Sequence, residues 1–87
     1  MFENLMKEDI LAEVRTYKLL RGKKSEGIFI SVNKIIAGDY KNKFIAQPNL
    51  IVIFASKKYY GIGDTANEAL NDCFAKLKDK DLFEIFS

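Results

Sequence analysis

Gly61-Ile62-Gly63-Asp64-Thr65-Ala66-Asn67-Glu68-Ala69-Leu70 decides how this 87-residue chain is read. Its second half is a helix start. Thr65 and Glu68 are spaced as a capping box, in which a hydroxyl and a carboxylate satisfy amides that the first turn leaves without partners. Asp64 is a second candidate for the cap. Downstream, Ala66, Ala69, Leu70, Cys73, Phe74 and Leu77 recur at helical spacing and form one apolar face. Asn67, Asn71, Asp72 and Lys76 fill the polar positions between them. Upstream, two glycines close an extended segment. The stretch formally matches G-x-G-x-x-A. Dinucleotide binding would require a following parallel strand and an acid about 20 positions on. No strand signature follows, and Asp64 would repel a pyrophosphate. The glycines therefore read as a strand-to-helix turn.

Working back from this helix, the apolar period is two. Ile28, Ile30 and Val32 alternate with Phe29 and Ser31, a first strand that runs on toward Ile36. Gly38-Asp39 is a turn signal, and Lys43 to Gln47 reads as a second strand. Pro48-Asn49 suits the centre of a tight turn. Leu50 to Ala55 is apolar at every position and reads as a third strand. After the turn Ser56-Lys57-Lys58, Tyr59 to Ile62 is a short fourth strand or a continuation of the third. Residues 3–21 read as a helix, because Met6, Ile10, Val14 and Tyr17 recur at spacings of four, four and three, with Leu11 and Leu20 beside them. Glu3, Glu8, Asp9 and Glu13 lead and Arg15, Lys18 and Arg21 trail, which suits a helix dipole. Gly22 would end it. The expected fold is α+β: a single domain over residues 1–87, in the order α-β-β-β-(β)-α. Short hairpins make the sheet antiparallel, and both helices cover one face in a two-layer sandwich.

The apolar content exceeds what one covered face needs. If Leu50, Val52 and Phe54 face the helices, then Ile51, Ile53 and Ala55 face the other way, joined by Ile45 and Phe29. A sheet with one solvated face should alternate apolar and polar residues. Either the apolar tail Asp81-Leu82-Phe83-Glu84-Ile85-Phe86 folds over the open face, or another chain does. The candidate partner-binding residues are Phe29, Ile45, Ile51, Ile53, Leu82, Phe83 and Phe86, with a homodimer as one arrangement.

Composition excludes much chemistry. There is no histidine, so no Ser-His-Asp or Cys-His arrangement and no imidazole metal ligand. One cysteine forms neither an internal disulfide nor a CxxC pair. Cys73 lies on the apolar helix face and reads as a buried, inert thiol. No cofactor is expected, and the chain reads as no enzyme. The start, Met1 to Ile10, lacks a basic region followed by an apolar run, and the longest apolar run, Leu50 to Ala55, is far below the roughly 20 residues of a membrane span. A cytoplasmic location away from the membrane is the expectation. Twelve lysines, two arginines and a net charge of +2 do not by themselves indicate nucleic acid. The isoleucine- and lysine-rich usage is that of an AT-rich genome, as in many low-GC bacteria and their phages. A basic edge remains an alternative, in which Lys18, Arg21, Lys23, Lys24, Lys57 and Lys58 would touch phosphates beside Tyr59-Tyr60. The GK fragment in Arg21-Gly22-Lys23-Lys24-Ser25 lacks the first glycine of a P-loop, since Tyr17 stands there.

Two family resemblances follow. Phe44-Ile45-Ala46-Gln47-Pro48-Asn49-Leu50, and then Gly63-Asp64-Thr65-Ala66-Asn67-Glu68-Ala69-Leu70, resemble the HicB-type antitoxins. That family shows an F-x-A-x-x-P-x-L-like strand and then a GDT-x-x-EAL helix start. It begins with a strand, where this chain is read as beginning with a helix, and its connection between the two motifs is usually shorter. The resemblance covers about a third of the chain. It implies a small non-enzymatic α+β module that binds a protein partner, often as a dimer. The α-β-β-β-α order also looks like the double-stranded-RNA-binding domain. That family grips phosphates with a basic cluster at the start of its last helix. The matching positions here, Asp64 to Glu68, hold no lysine, and their acids repel a phosphate backbone. The expected function is thus a binding module that neutralises or inhibits a partner protein, as an antitoxin does, or as a phage inhibitor of a host nucleic-acid-handling defence complex does. The alternative is a nucleic-acid binder working through the basic loop and hairpin tips.

Overall fold

The structure is a computed structural model that describes residues 2–21 and 26–86. Its elements are β1 (Leu11–Arg21), β2 (Glu26–Ala37), β3 (Phe44–Asn49), a 3-10 turn (Lys57–Tyr59), β4 (Gly61–Gly63), α1 (Ala66–Leu77) and α2 (Leu82–Phe86). The four strands form one antiparallel sheet in the order β1-β2-β3-β4. Helix α1 packs against it, giving an α+β fold.

The register sorts the sheet's side chains. Ile28, Ile30 and Val32 of β2 lie on one face with Ala46 and Pro48 of β3 and Gly61 of β4. Alternation at period two, as read from the sequence, puts these on the covered side. Ala69, Cys73 and Leu77 of α1 close over them, and Ile85 of α2, Ala55 and Tyr59 complete the core. Each fully buried isoleucine or leucine here contributes about 1.5–3 kcal/mol.

Helix α1 begins as its sequence requires. Thr65 is the N-cap, and its Oγ1 accepts from the Glu68 amide at 3.1 Å. Asp64 takes a different role and pairs with Lys43 of the β2–β3 connection. The two glycines before the cap serve packing. A Cβ on Gly61 would run into the Ala69 carbonyl and the Cys73 amide, so the helix backbone rests directly on β4. Asp72 of α1 also accepts the Ile62 amide at 3.0 Å, and Lys76 donates to the Tyr60 carbonyl at 2.6 Å.

Two segments differ from the sequence reading. Residues 3–21 are not a helix. Residues 2–10 lie outside regular structure, with a turn in which the Asp9 carboxylate accepts from the Met6 amide at 2.8 Å and the Asp9 amide donates back to the Met6 carbonyl. From Leu11 on the chain is strand β1, paired with β2 along its whole length after a register shift between Leu11 and Ala12. The helical period was a coincidence of Met6, Ile10, Val14 and Tyr17. No single face of the segment is buried, because α1 stands over β3 and β4 and leaves β1 largely uncovered. Val14, Thr16 and Tyr17 suit a pleated strand, and pairing with β2 overrides the weak helical signal.

The stretch Leu50 to Ala55 is not a strand of the sheet. Pro48 and Asn49, read as turn residues, instead end β3. Pro48 is tolerated because its carbonyl accepts from the Ala55 amide at 2.9 Å, so its own nitrogen points away from β2. Beyond Asn49 the chain turns over and returns. Asn49 bridges to Phe54, and the Leu50 amide donates to the Ile53 carbonyl at 2.8 Å. The tight turn therefore lies inside the apolar run, with the left-handed residue at Ile51 (φ 77°). The first strand, Ile28 to Ile36, appears as β2, extended at both ends. The second, Lys43 to Gln47, appears as β3, and the fourth shrinks to Gly61–Gly63.

Candidate partner-binding surface

The most exposed apolar feature is the hairpin tip that follows β3. Ile51 is 68% exposed, Val52 85%, Ile53 51% and Phe54 50%. Four consecutive large apolar residues in water are costly, and a patch of this kind marks an interaction site more often than a solvated loop. The tip stands on a built support. Asn49 is buried, and its Oδ1 accepts the Ile51 amide at 3.0 Å. Its Nδ2 donates to Ser31 Oγ at 2.9 Å and to the Gln47 carbonyl at 3.0 Å. This side chain ties the base of the tip to β2 and holds Ile51 in the left-handed region, which β-branched residues rarely adopt.

Beside the tip, the 3-10 turn is fixed to the C-terminal helix. Tyr59 is buried, and its hydroxyl donates to the Glu84 carbonyl at 3.3 Å. Helix α2 turns Ile85 into the core, with Leu82 and Phe86 partly buried against it. Phe83 points out and is 85% exposed.

The sequence-derived candidates thus separate. Ile51 and Ile53 are exposed, on the tip rather than on a sheet face. Ala55, expected on the open face, is buried in the core. Phe29 and Ile45 do lie on the open face, where both are half-buried. Leu82 and Phe86 belong to the packed core rim, and Phe83 alone of the tail offers a free aromatic ring. The tail packs on the helix side, so it is not the cover of the opposite face.

That opposite face is not the apolar sheet the sequence suggested. Once Leu50 to Ala55 leaves the sheet, the face carries Val14, Thr16, Lys18 and Leu20 of β1, Phe29, Ser31 and Asn33 of β2, Ile45, Gln47 and Asn49 of β3, and Ile62 of β4. Its centre is polar. Asn33 Nδ2 donates to Gln47 Oε1 at 2.9 Å, beside the Asn49–Ser31 bond. The signal for the tip was present but misread: an asparagine after a proline, then six apolar residues, fits a buttressed turn as well as a turn followed by a strand.

Of the described basic candidates, Lys18 and Arg21 lie on opposite faces of β1. Lys23 and Lys24 lie outside the described residues. Arg21 is committed: its Nη1 donates to the Leu77 carbonyl at 2.6 Å and the Lys80 carbonyl at 2.7 Å, capping the end of α1. Lys18 projects from the open sheet face, 5.9 Å from the Phe29 ring centre. Lys57 and Lys58 sit on the 3-10 turn beside the tip, Lys58 lying 5.2 Å from the Tyr59 ring centre.

Titratable groups follow their surroundings. Burial pushes the Cys73 thiol up to about 11, with Lys76 pulling weakly the other way. The Ile62 amide and then Lys76 hold the Asp72 carboxyl below its usual value. Hydrogen bonding and charge from Asp64 raise Lys43. An open cleft of about 250 Å³ lies between β1 and the start of α1, lined by Glu13, Arg15, Tyr17, Val32, Lys34, Phe44 and Ala66. Its charged groups bear both signs, and it holds no nucleophile–base pair. Among the described residues no cluster of three acids or cysteines is placed to hold a metal, and no helix is long and apolar enough to cross a membrane. No protein-family model matches the chain, and no curated protein or solved structure matches it either.

Proposed function

We propose that this chain is a non-enzymatic binding module that neutralises or inhibits a partner protein, and that it docks through the hairpin tip Ile51 to Phe54. The observation that carries the reading is the buttressed exposure of that tip. Asn49 spends a buried, fully bonded side chain on holding four apolar residues out of the core, one of them in a strained backbone conformation. A partner that covers Ile51, Val52, Ile53 and Phe54 removes the hydration cost, and the preformed tip loses little entropy on binding.

The antitoxin-like form of the reading has two supports. Its two motif segments are neighbours in space, since β3 pairs with β4 immediately before α1. The N-terminal element is also a strand, as in the HicB-type family, which removes the one difference in element order. In this reading the target is a toxin or a host nucleic-acid-handling defence complex, and inhibition is steric occlusion by the bound module.

The test is affinity capture from the native host, comparing the wild type with Val52→Asp. A charge on the most exposed tip residue leaves the fold intact and disfavours an apolar socket. A dominant protein captured by the wild type and lost with Val52→Asp is the expected result. Equal capture by both, or nucleic acid as the main captured species, overturns the proposal.

A further inference from the structure

The outer edge of β1 carries a second proposal, independent of the tip. β1 ends the sheet order, so among the described residues one row of its backbone N–H and C=O groups has no strand beside it. Long edge strands of this kind pair with other chains unless they are short, bulged or guarded by charge. The bulge here is confined to Leu11/Ala12, and the rest of β1 runs regularly to Arg21; it carries Glu13, Arg15, Lys18 and Arg21, so it admits only a strand that sets these charges against neutral or opposite partners. Val14, Tyr17 and Leu20 are exposed on it: Val14 and Leu20 lie on the open face, and Tyr17 lies on the helix side where α1 stands mainly over β3 and β4.

We propose that β1 pairs antiparallel with β1 of a second copy of this chain, centred on Tyr17, to make one continuous sheet across a twofold axis. Symmetry restricts the choice. A twofold perpendicular to the sheet places residues of equal parity opposite each other. Centring on Arg15 sets Arg15 against itself, and centring on Lys18 sets Lys18 against itself and Arg15 against Arg21. Both put like charges directly opposite, which is destabilising. Centring on Thr16 sets Val14 against Lys18 and leaves Glu13 facing Leu19. Centring on Val14 or Leu19 pairs only part of the strand. Centring on Tyr17 sets Glu13 against Arg21 and Val14 against Leu20, each twice, with Thr16 opposite Lys18 and Arg15 opposite Leu19. Like charges never meet directly, and every exposed apolar residue of the edge gains an apolar partner. The Arg21 Nη1 stays on the Leu77 and Lys80 carbonyls, and the guanidinium has further N–H donors to offer the Glu13 carboxylate of the second copy. The two copies then place their α1 helices on the same side, and the clefts beside the two β1 strands join into a trough.

The experiment is sedimentation equilibrium on the purified full chain, with Glu13→Arg and Val52→Asp as variants and circular dichroism as the fold check. The wild type should sediment as a dimer. Glu13→Arg converts two attractions into two repulsions and should weaken association by about ten- to a hundredfold. Val52→Asp should leave the dimer unchanged, which separates this edge from the tip. Single cysteines at 16, 17 and 18 fix the register. Under mild oxidation Tyr17→Cys should cross-link to a dimer efficiently, and Thr16→Cys and Lys18→Cys should not, because opposed Cα atoms only at Tyr17 come within disulfide reach of their own copy. A monomer at about 100 μM, a dimer indifferent to Glu13→Arg, or preferential cross-linking at 16 or 18 overturns the proposal.

Discussion

Gly61→Ala tests the packing on which the whole fold rests. The added methyl would meet three atoms of one helix. It would collide with the Ala69 carbonyl, stand 2.5 Å from the Cys73 amide and 2.8 Å from the Cys73 Cβ. Ordinary contact begins at 3.4 Å, so the Cys73 amide alone must retreat by 3.4 − 2.5 = 0.9 Å. Two of the obstructing atoms are backbone and the third is a Cβ fixed to it, so none can swing aside. Helix α1 must move off β4 as a body, and that loosens Ala69, Cys73 and Leu77, all fully buried. It also stretches the Asp72 bond to the Ile62 amide and the Lys76 bond to the Tyr60 carbonyl. Overpacking typically costs 1–3 kcal/mol, and several rigid clashes at once put this change at about 3 kcal/mol or more. A domain of this size loses about 4–8 °C in melting temperature per kcal/mol, so the expected fall is about 12–24 °C. The assay is thermal unfolding followed by circular dichroism, with urea titration alongside. Gly27→Ala is the control, because its methyl meets only the far end of the flexible Lys18 side chain. It should change stability by no more than about 0.5 kcal/mol. If Gly61→Ala melts within a few degrees of the wild type, α1 does not rest on β4 and the fold described above is wrong at its centre.

Other consequences are as concrete. Ile51→Asn should raise stability by about 0.5–1 kcal/mol, since asparagine tolerates the left-handed backbone that isoleucine resists, while weakening partner capture; a loss of stability in urea would show that Ile51 is held by packing instead. Asp72 has a folded-state pKa below its unfolded one, so its contribution is present above the usual carboxylate value and is lost as pH falls through the depressed folded value. Asp72→Asn should therefore flatten the acid limb of the stability–pH curve, and an unchanged limb in urea titrations across that range would refute the assignment. Cys73, buried and with its thiol raised to about 11, should resist a thiol reagent at mildly alkaline pH until the chain unfolds; rapid stoichiometric labelling of the native protein would contradict its burial.

What the sequence made legible follows from how local each signal is. The cap at Thr65 and the apolar face through Leu77 are properties of one helix, and α1 forms where they place it, with Ala69, Cys73 and Leu77 buried and Phe74 left exposed. The alternation at Ile28, Ile30 and Val32 needs only a covered face, and β2 supplies it. β1 was misread because its stability comes from pairing with a strand that follows it, and no pattern confined to residues 11–21 reports that. Leu50 to Ala55 was misread for the opposite reason. Six apolar residues look like burial, yet the backbone path is set by Asn49, whose bonds reach Ser31, 18 positions earlier in the chain. The site residues divided accordingly: Ile51, Ile53 and Phe83 are exposed, whereas Leu82 and Phe86 went to the core that the tail helps to build.

The two misread segments bear on function together. In a small domain, apolar side chains left in water cost stability that the core must offset. Part of that cost falls on two local groups, the tip Ile51 to Phe54 and the edge residues Val14, Tyr17 and Leu20. The core does not need either, since β2, β3, α1 and α2 close it without them. Their supports differ in kind. The tip is held by side-chain bonds from a buried asparagine, which suits a preformed epitope for a different protein. The edge presents unpaired backbone with an acid, Glu13, near one end and a base, Arg21, at the other, which suits an antiparallel strand of complementary order, and the chain's own β1 is such a strand. A module that dimerises by one edge and presents a tip from each copy gains avidity against a partner that can engage both. Breaking the edge with Glu13→Arg should then weaken capture of such a partner while each tip stays intact. A partner bound equally well by the monomeric variant would mean that the tips act singly.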